Sequence, residues 1–161
     1  MAKAIAFTGP SNSGKTTLIE TIAKKLISTH KIAIIKNDPK DKAKFDIEGK
    51  DSYKFFQTGA EVAVVSPTRT TYFSHRAKAL EEVIQMMKPF DLLMVEGLKT
   101  FPLPRIAVFR DRLDPSYFPY IKAIATNGNI DLAQVPKGID ILDLNDTDSI
   151  IKWIFQNAKE V

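Results

Sequence analysis

The stretch that decides the fold is GPSNSGKT, residues Gly9–Thr16. It has the spacing G-x-x-x-x-G-K-[ST], in which glycines let the backbone curl so that several N–H groups point at phosphate oxygens. The apolar run Lys3–Thr8 before it predicts a buried strand. Apolar residues recur at helical spacing after it, between Leu18 and Ile27. A strand, a glycine-rich turn and a helix N-terminus in this order indicate a P-loop.

The chemistry of a P-loop gives a role to most residues of the turn. Lys15 can reach the β- and γ-phosphates, the Thr16 hydroxyl can ligate Mg²⁺, and Thr17 can contact the α-phosphate. The predicted phosphate-binding residues are Gly9, Asn12, Ser13, Gly14, Lys15, Thr16 and Thr17. The turn therefore predicts binding of a nucleoside triphosphate together with Mg²⁺.

Strands and helices alternate along the rest of the chain. Short apolar runs predict further strands at Ile32–Ile35, Val62–Val65, Leu92–Val95, Ile106–Phe109, Ile121–Ala125 and Ile139–Leu142. Helical spacing predicts helices over 51–58, 77–87 and 150–158, with an edge strand or hairpin partner at 68–73 and a loop at 37–49. This alternation predicts an α/β protein of the P-loop NTPase fold, with a mostly parallel central sheet flanked by helices. We expect a single nucleotide-binding domain over residues 1–161.

Composition excludes several functional classes. The chain has no cysteine and only two histidines, which excludes thiol chemistry and argues against metal delivery. No apolar run approaches the ~20 residues that span a bilayer, so we expect a cytoplasmic protein with no membrane partner. The net charge of +4 is spread along the chain without an arginine-rich tract. This distribution favours small anionic ligands over nucleic acid.

Acidic residues are expected near the phosphates. Glu96 ends the apolar run DLLMVEG at Asp91–Gly97, and ligands of open α/β sheets lie outside such strand ends. Glu96 could hold Mg²⁺ through water or orient an attacking water, or it could simply cap a turn. Asp46 and Glu48 follow the second strand, where a carboxylate could approach Mg²⁺ or belong to a solvated loop. The candidate catalytic residues are Glu96 and Asp46, and the candidate metal ligands are Thr16, Glu96 and Asp46.

Several blocks resemble one family of P-loop proteins. The blocks Phe45–Ser52 (FDIEGKDS), Thr58–Ala60 and Asp91–Lys99 (DLLMVEGLK), together with the P-loop, resemble the molybdopterin-guanine dinucleotide biosynthesis protein B family. Pro104–Arg110 and Asp140–Asp146 fit as well, so the resemblance covers nearly the whole chain. The GKDS and VEGLK blocks are far more specific than the P-loop, which many families share.

The resemblance implies a GTP-binding accessory protein with weak GTPase activity that uses GTP and Mg²⁺. It implies a homodimer whose partner is the molybdenum cofactor guanylyltransferase, the enzyme that attaches GMP to molybdopterin. The accessory protein would supply GTP or assist that step without performing the transfer, and molybdopterin is a further candidate ligand.

The chain also departs from the family pattern. The loop at residues 36–42 has no histidine, although the family commonly carries histidines there. Thr126 and Asn127 are the candidate base-binding residues, but the family often has an aspartate where Asn127 stands. An asparagine side chain has one acceptor oxygen where a carboxylate has two, so guanine selectivity would weaken or come from the backbone. The alternative is that these residues form only a turn. Lys99, Arg69 and Arg110 are candidate anion contacts, and Lys99 is favoured over the two arginines because it follows Glu96 by three residues.

Two other functions remain open at this point. A small-molecule P-loop kinase that uses ATP would need an acceptor pocket and a lid with arginines. The region between the P-loop helix and Asp91 is rich in lysine and has few arginines, which argues mildly against a kinase. A regulatory or metal-delivery GTPase switch is the third possibility.

Overall fold

The structure is a computed structural model that describes residues 1–161. The chain separates into two compact units. Met1–Asn37 and Pro89–Val161 form the first, which we call the P-loop unit, and Asp38–Lys88 forms the second, the inserted unit. That both units act as one nucleotide-binding domain stays a prediction. No helix is long and apolar enough to cross a membrane.

The regular elements follow the predicted alternation. In chain order they are β1 (Lys3–Thr8), α1 (Lys15–Leu26), β2 (Ile32–Lys36), α2 (Asp51–Gln57), β3 (Val62–Val65), β4 (Thr70–Phe73), α3 (Leu80–Met87), β5 (Leu92–Glu96), β6 (Arg105–Phe109), β7 (Ala123–Thr126), β8 (Asp140–Asp143), α4 (Thr147–Asn157) and β9 (Lys159–Glu160). Two short 3₁₀ turns, Pro115–Tyr120 and Leu132–Gln134, were not predicted.

The P-loop unit contains a seven-stranded sheet in the order β2-β5-β1-β6-β7-β8. These six strands are parallel, and β9 pairs with β1 in the antiparallel direction. In the register, Glu96 lies opposite both Phe7 of β1 and Lys36 of β2. The carboxyl ends of these three strands therefore meet at one edge, directly beside the turn that follows β1. The prediction of a mostly parallel sheet is confirmed.

Both faces of the central strands are covered, which explains their continuous apolar runs. On one face α1 buries Leu18, Ile19, Ile22 and Leu26, which recur every three or four residues. On the same face α4 buries Ile150, Trp153 and Ile154. The opposite face forms a smaller cluster around Phe109, Ile121 and Ile124. The sheet is thus held from both sides, and its strand ends are fixed in position.

The inserted unit is built from α2, the antiparallel β3–β4 hairpin and α3. The hairpin prediction for the segment 68–73 is confirmed, because Val62 pairs with Phe73. Its buried apolar side chains are Val62 and Ile84, while Phe45 is largely exposed. Helix α3 begins at Leu80, because the Ala79 N–H donates to the Glu82 carboxylate at 3.0 Å and this carboxylate caps the first turn.

Candidate phosphate-binding site

The backbone of the P-loop is fixed by close packing against β6. Gly9 has a φ of 136°, and a methyl group there would lie 2.5 Å from the carbonyl oxygen of Val108. Gly14 has a φ of 97° and forms the N-cap of α1. Both positions need glycine, since other residues rarely adopt such backbone angles. The loop therefore presents the N-terminus of α1 and its partial positive charge to the turn.

Lys15 is folded into the curl of the loop. Its Nζ donates to the carbonyl oxygens of Gly9 at 2.8 Å and Pro10 at 2.7 Å. Burial lowers the pKa of Lys15, Glu96 partly offsets this effect, and Lys36 lowers the pKa further. The ammonium group is thus held where phosphate oxygens could replace the two carbonyl groups as its acceptors.

Ser13 gives a direct test of whether the loop suits a phosphate. Its hydroxyl is buried and has no hydrogen-bond partner. A buried polar group left unpaired costs about 1–3 kcal/mol, so such groups usually have a partner in the functional state. A phosphate oxygen in the loop would accept a hydrogen bond from this hydroxyl. The residues present therefore fit an anion.

Glu96 and Thr16 line the same groove of the P-loop unit. The groove has a volume of about 340 Å³, and Ile34 and Lys36 also line it. The Glu96 carboxylate pairs with Lys36 at 3.3 Å; the Lys36 side chain is 71% exposed and that of Glu96 is 17% exposed. An ion pair with so exposed a lysine contributes little, so the carboxylate can exchange this partner for another cation. The structure contains no cluster of three or more Asp, Glu, His or Cys side chains arranged to hold a metal ion.

Arg105 is a supporting residue that sequence reasoning missed. It is fully buried, and its guanidinium donates to the carbonyl oxygens of Gly97 and Leu98 at 2.6 Å and of Phe101 at 3.1 Å. These bonds hold the loop after Glu96, where Leu98 has a φ of 50°. The sequence signal for this role was an arginine at the start of a strand that is otherwise apolar. A charge buried in such a strand needs several hydrogen-bond partners, which indicates that it holds neighbouring backbone in place.

A second cleft of about 160 Å³ adjoins the P-loop on the Thr17 side. Arg110 lines both this cleft and the pocket formed by Asn12–Thr17, and a methyl group at Gly14 would be 3.1 Å from the Arg110 guanidinium. Leu144 and Asn145, between β8 and α4, also line this cleft. Of the three candidate cations Lys99, Arg69 and Arg110, the structure brings Arg110 to the P-loop.

Other predicted site residues lie elsewhere. Lys99 contacts Ser116 at 3.3 Å and sits 4.2 Å from the centre of the Tyr117 ring. Thr126 ends β7 and Asn127 follows it. The Thr126 hydroxyl accepts from the Gly128 N–H, the Asn127 side-chain oxygen accepts from the Asn129 N–H, and neither residue lines the Thr17 cleft. Their role in base binding stays a prediction.

Two predicted residues belong to the inserted unit. The Asp46 carboxylate accepts from the Ile47 N–H at 2.8 Å and from the Ser52 hydroxyl at 3.1 Å. Arg69 closes a tight turn in which its N–H donates to the Ser66 hydroxyl at 3.1 Å. The proposed metal role of Asp46 and the anion role of Arg69 stay predictions.

The parallel sheet, the glycine-fixed turn and the strand-end carboxylate define a class: this is a P-loop NTPase-like α/β protein. Comparison with known proteins then gives the family. The family model described as Molybdopterin guanine dinucleotide synthesis protein B matches residues 4–127. The chain belongs to this family, as its sequence blocks indicated.

Individual relatives agree with this assignment. The chain is 30% identical to the molybdopterin-guanine dinucleotide biosynthesis adapter protein of Haemophilus influenzae, over 93% of this chain and 86% of the relative. It is 28% identical to the Escherichia coli protein of the same name, over 96% and 94% of the two chains. The crystal structure of Bacillus subtilis MobB matches with a TM-score of 0.77 at 22% identity, covering 99% of each chain, and supports the fold.

Proposed function

We propose that this protein is a GTP-binding adapter with weak GTPase activity in the biosynthesis of molybdopterin guanine dinucleotide. The observation that carries the proposal is the P-loop geometry, with Lys15 held inside the curl and Ser13 buried without a partner. The choice of GTP and of the pathway rests on the family, whose relatives are named as adapter proteins.

The triphosphate would occupy the curl of the P-loop. The phosphate oxygens would replace the Gly9 and Pro10 carbonyl groups as acceptors for Lys15, and the α1 N-terminus would face the same charge. Thr16 and Glu96 would hold Mg²⁺, which would offset the phosphate charge and orient the terminal phosphate group. In this proposal Glu96 would also accept a hydrogen bond from an attacking water.

The weak GTPase activity in this proposal rests on the family resemblance. Arg110 lines the pocket formed by Asn12–Thr17, whereas the groove beside Thr16 and Glu96 carries Lys24 and Lys36 and no arginine. We propose that the nucleoside enters the Thr17 cleft, where the Asn145 amide can both donate and accept.

Nucleotide titration tests the site. We expect the purified protein to bind fluorescent GTP with Mg²⁺, and Lys15→Ala to lose at least tenfold in affinity, because a charged phosphate contact is removed. Lys31→Ala, an exposed lysine of the same unit, is the matched control and should bind like the wild type. Glu96→Gln should slow hydrolysis more than it weakens binding. Wild-type affinity in Lys15→Ala, or a strong preference for ATP, would overturn the nucleotide assignment.

A reconstituted transfer reaction tests the adapter role. Purified molybdenum cofactor guanylyltransferase, GTP and molybdopterin are incubated with the wild type or with Lys15→Ala, and the dinucleotide product is measured. We expect the wild type to increase product formation and the variant to do so far less. Light scattering on the same samples tests the expected homodimer. Equal stimulation by both proteins, or none by either, contradicts a nucleotide-dependent adapter.

A further inference from the structure

Arg110 is a cation beside the P-loop that no acidic side chain neutralises. It directly follows β6, its side chain is exposed, and none of the four salt bridges in the structure involves it. The neighbouring carboxylate of Asp111 accepts instead from the Asn129 side-chain amide at 3.2 Å. Arg110 therefore has no anionic partner within the chain.

The position of this charge is electrostatically unfavourable. The Arg110 Nε and Nη2 atoms lie 3.1 and 3.2 Å from the point where a Gly14 methyl group would be. Gly14 is the N-cap of α1, so the guanidinium packs against the helix end that carries a partial positive charge. The ammonium group of Lys15 is held in the same loop. An anion bound among these three positive groups would be stabilised by all of them.

The pockets of the P-loop unit place Arg110 at one end of a bound phosphate chain. The pocket formed by Asn12–Thr17 and Arg110 has a volume of about 300 Å³, and no carboxylate lines it. Thr16 lines both this pocket and the groove that contains Glu96. Thr17 and Arg110 line both this pocket and the Thr17 cleft. If the terminal phosphate faces Glu96 and the nucleoside enters the Thr17 cleft, Arg110 lies where the α-phosphate joins the nucleoside.

We propose that Arg110 binds the α-phosphate and thereby sets the affinity for the diphosphate part that GTP and GDP share. The proposal rests on the nucleotide site described under the proposed function and adds a residue that determines affinity for both substrate and product. A guanidinium presents a planar fork of N–H donors that matches two phosphate oxygens. Because the α-phosphate is not cleaved, this contact persists after hydrolysis. It should therefore stabilise bound GTP and bound GDP equally and leave the rate of the chemical step unchanged.

Nucleotide titration of Arg110 variants tests this role. Fluorescent GDP and fluorescent GTP are titrated with Mg²⁺ against the wild type and Arg110→Gln, and hydrolysis of bound GTP is followed in single-turnover experiments with excess protein. We expect the affinity for both nucleotides to fall at least about tenfold and by similar factors. The hydrolysis rate of bound GTP should stay within about threefold of the wild type. Arg110→Lys keeps the charge without the fork, so its affinities should lie between those of the wild type and Arg110→Gln.

Thermal unfolding separates a ligand contact from a structural role. Arg110→Gln removes a positive charge from a helix N-terminus, so without nucleotide it should unfold at the wild-type temperature or above. Added GDP with Mg²⁺ should raise the midpoint of the wild type more than that of the variant. Arg112→Gln changes an exposed arginine that lines neither the Asn12–Thr17 pocket nor the Thr17 cleft, and it should behave like the wild type in every assay.

Several results would overturn the proposal. Wild-type affinity for GDP in Arg110→Gln would do so, as would a loss confined to GTP, which would place Arg110 at the terminal phosphate. Arg110→Lys affinities no better than those of Arg110→Gln would show that the positive charge is not what binds. A lower midpoint of Arg110→Gln without nucleotide, together with weaker binding, would assign a structural role instead.

Two comparisons separate this proposal from the nucleotide assignment itself. ADP and ATP are titrated in parallel, because the α-phosphate is common to all these nucleotides. A strong preference for ADP over GDP, with ADP binding that weakens in Arg110→Gln, supports the α-phosphate contact and overturns the guanine assignment. Loss of GTP binding in Lys15→Ala with full binding of GTP and GDP in Arg110→Gln supports the nucleotide site and overturns only the role of Arg110.

Discussion

Replacing Arg105 by lysine tests how the loop after Glu96 is held. The guanidinium is fully buried and donates to three carbonyl oxygens. Hydrogen bonds from a charged donor contribute about 1.5–3 kcal/mol each. A lysine keeps the charge but lacks the planar fork, so we count two lost bonds and expect the free energy of unfolding to fall by about 3 kcal/mol at the lower end of that range.

Urea unfolding of the Arg105→Lys variant measures this change. Trp153 is the only tryptophan of the chain and lies in α4 of the same unit, so its fluorescence reports the unfolding of that unit. We expect the thermal midpoint to fall by about 6–12 °C, since 1 kcal/mol shifts it by about 2–4 °C in a protein of this size. The exposed Arg112→Lys should stay within about 0.5 kcal/mol of the wild type. A similarly small change in Arg105→Lys would refute the reasoning.

Three further predictions follow from local geometry. Gly9→Ala should abolish triphosphate binding in a fluorescent-GTP titration, because the added methyl group would clash with a β6 carbonyl oxygen. We expect the free energy of unfolding in urea to fall by at least about 1 kcal/mol. Wild-type binding would contradict the tight packing. The Tyr72 hydroxyl, with two weaker hydrogen bonds, lowers the pKa of Glu61 to about 2. The stability that this carboxylate contributes is therefore present above pH 4.5 and lost as the pH falls toward 2. Tyr72→Phe should raise the pKa of Glu61 in an NMR titration. An unchanged Glu61 titration midpoint would contradict the assignment. Trp153→Phe removes the hydrogen bond that Trp153 Nε1 donates to the Asp140 carboxylate at 2.7 Å. We expect this variant to lower the free energy of unfolding by about 1–3 kcal/mol in a thermal unfolding experiment. Asp140→Asn keeps an acceptor for Trp153 and should lower it less.

Local patterns predicted the strands and the glycine-rich turn that form the candidate phosphate-binding site. The strand Lys3–Thr8 was placed correctly because a run buried on both faces is continuously apolar. The P-loop itself needs glycine at two positions with positive φ, and this requirement is written directly in the sequence. The position of Glu96 followed from the same logic, since parallel strands next to each other end at the same edge.

Other features depend on distant partners and were not predictable. Strand β9 spans two residues, too few for any periodic signal, and exists because it pairs with β1. Lys99 follows Glu96 closely in sequence, yet its side chain turns to the 3₁₀ turn Pro115–Tyr120, which was itself not predicted. Arg110 reaches the P-loop because β6 is adjacent to β1, a neighbour relation that the chain order alone does not give.

The VEGLK block shows why a family signature is not a list of ligand contacts. Leu98 adopts a left-handed backbone angle, and a methyl group at Gly97 would lie 3.0 Å from the Asn37 side chain. The carbonyl groups of both residues are bound by Arg105, which lies at the start of the following strand. The block therefore has a backbone part, held by a buried cation, and one residue, Glu96, for which we propose a role in ligand binding. Substitutions in the backbone part should therefore change the stability of the loop. Glu96→Gln should change the rate of hydrolysis with little change in stability, because the ion pair between Glu96 and an exposed lysine contributes little.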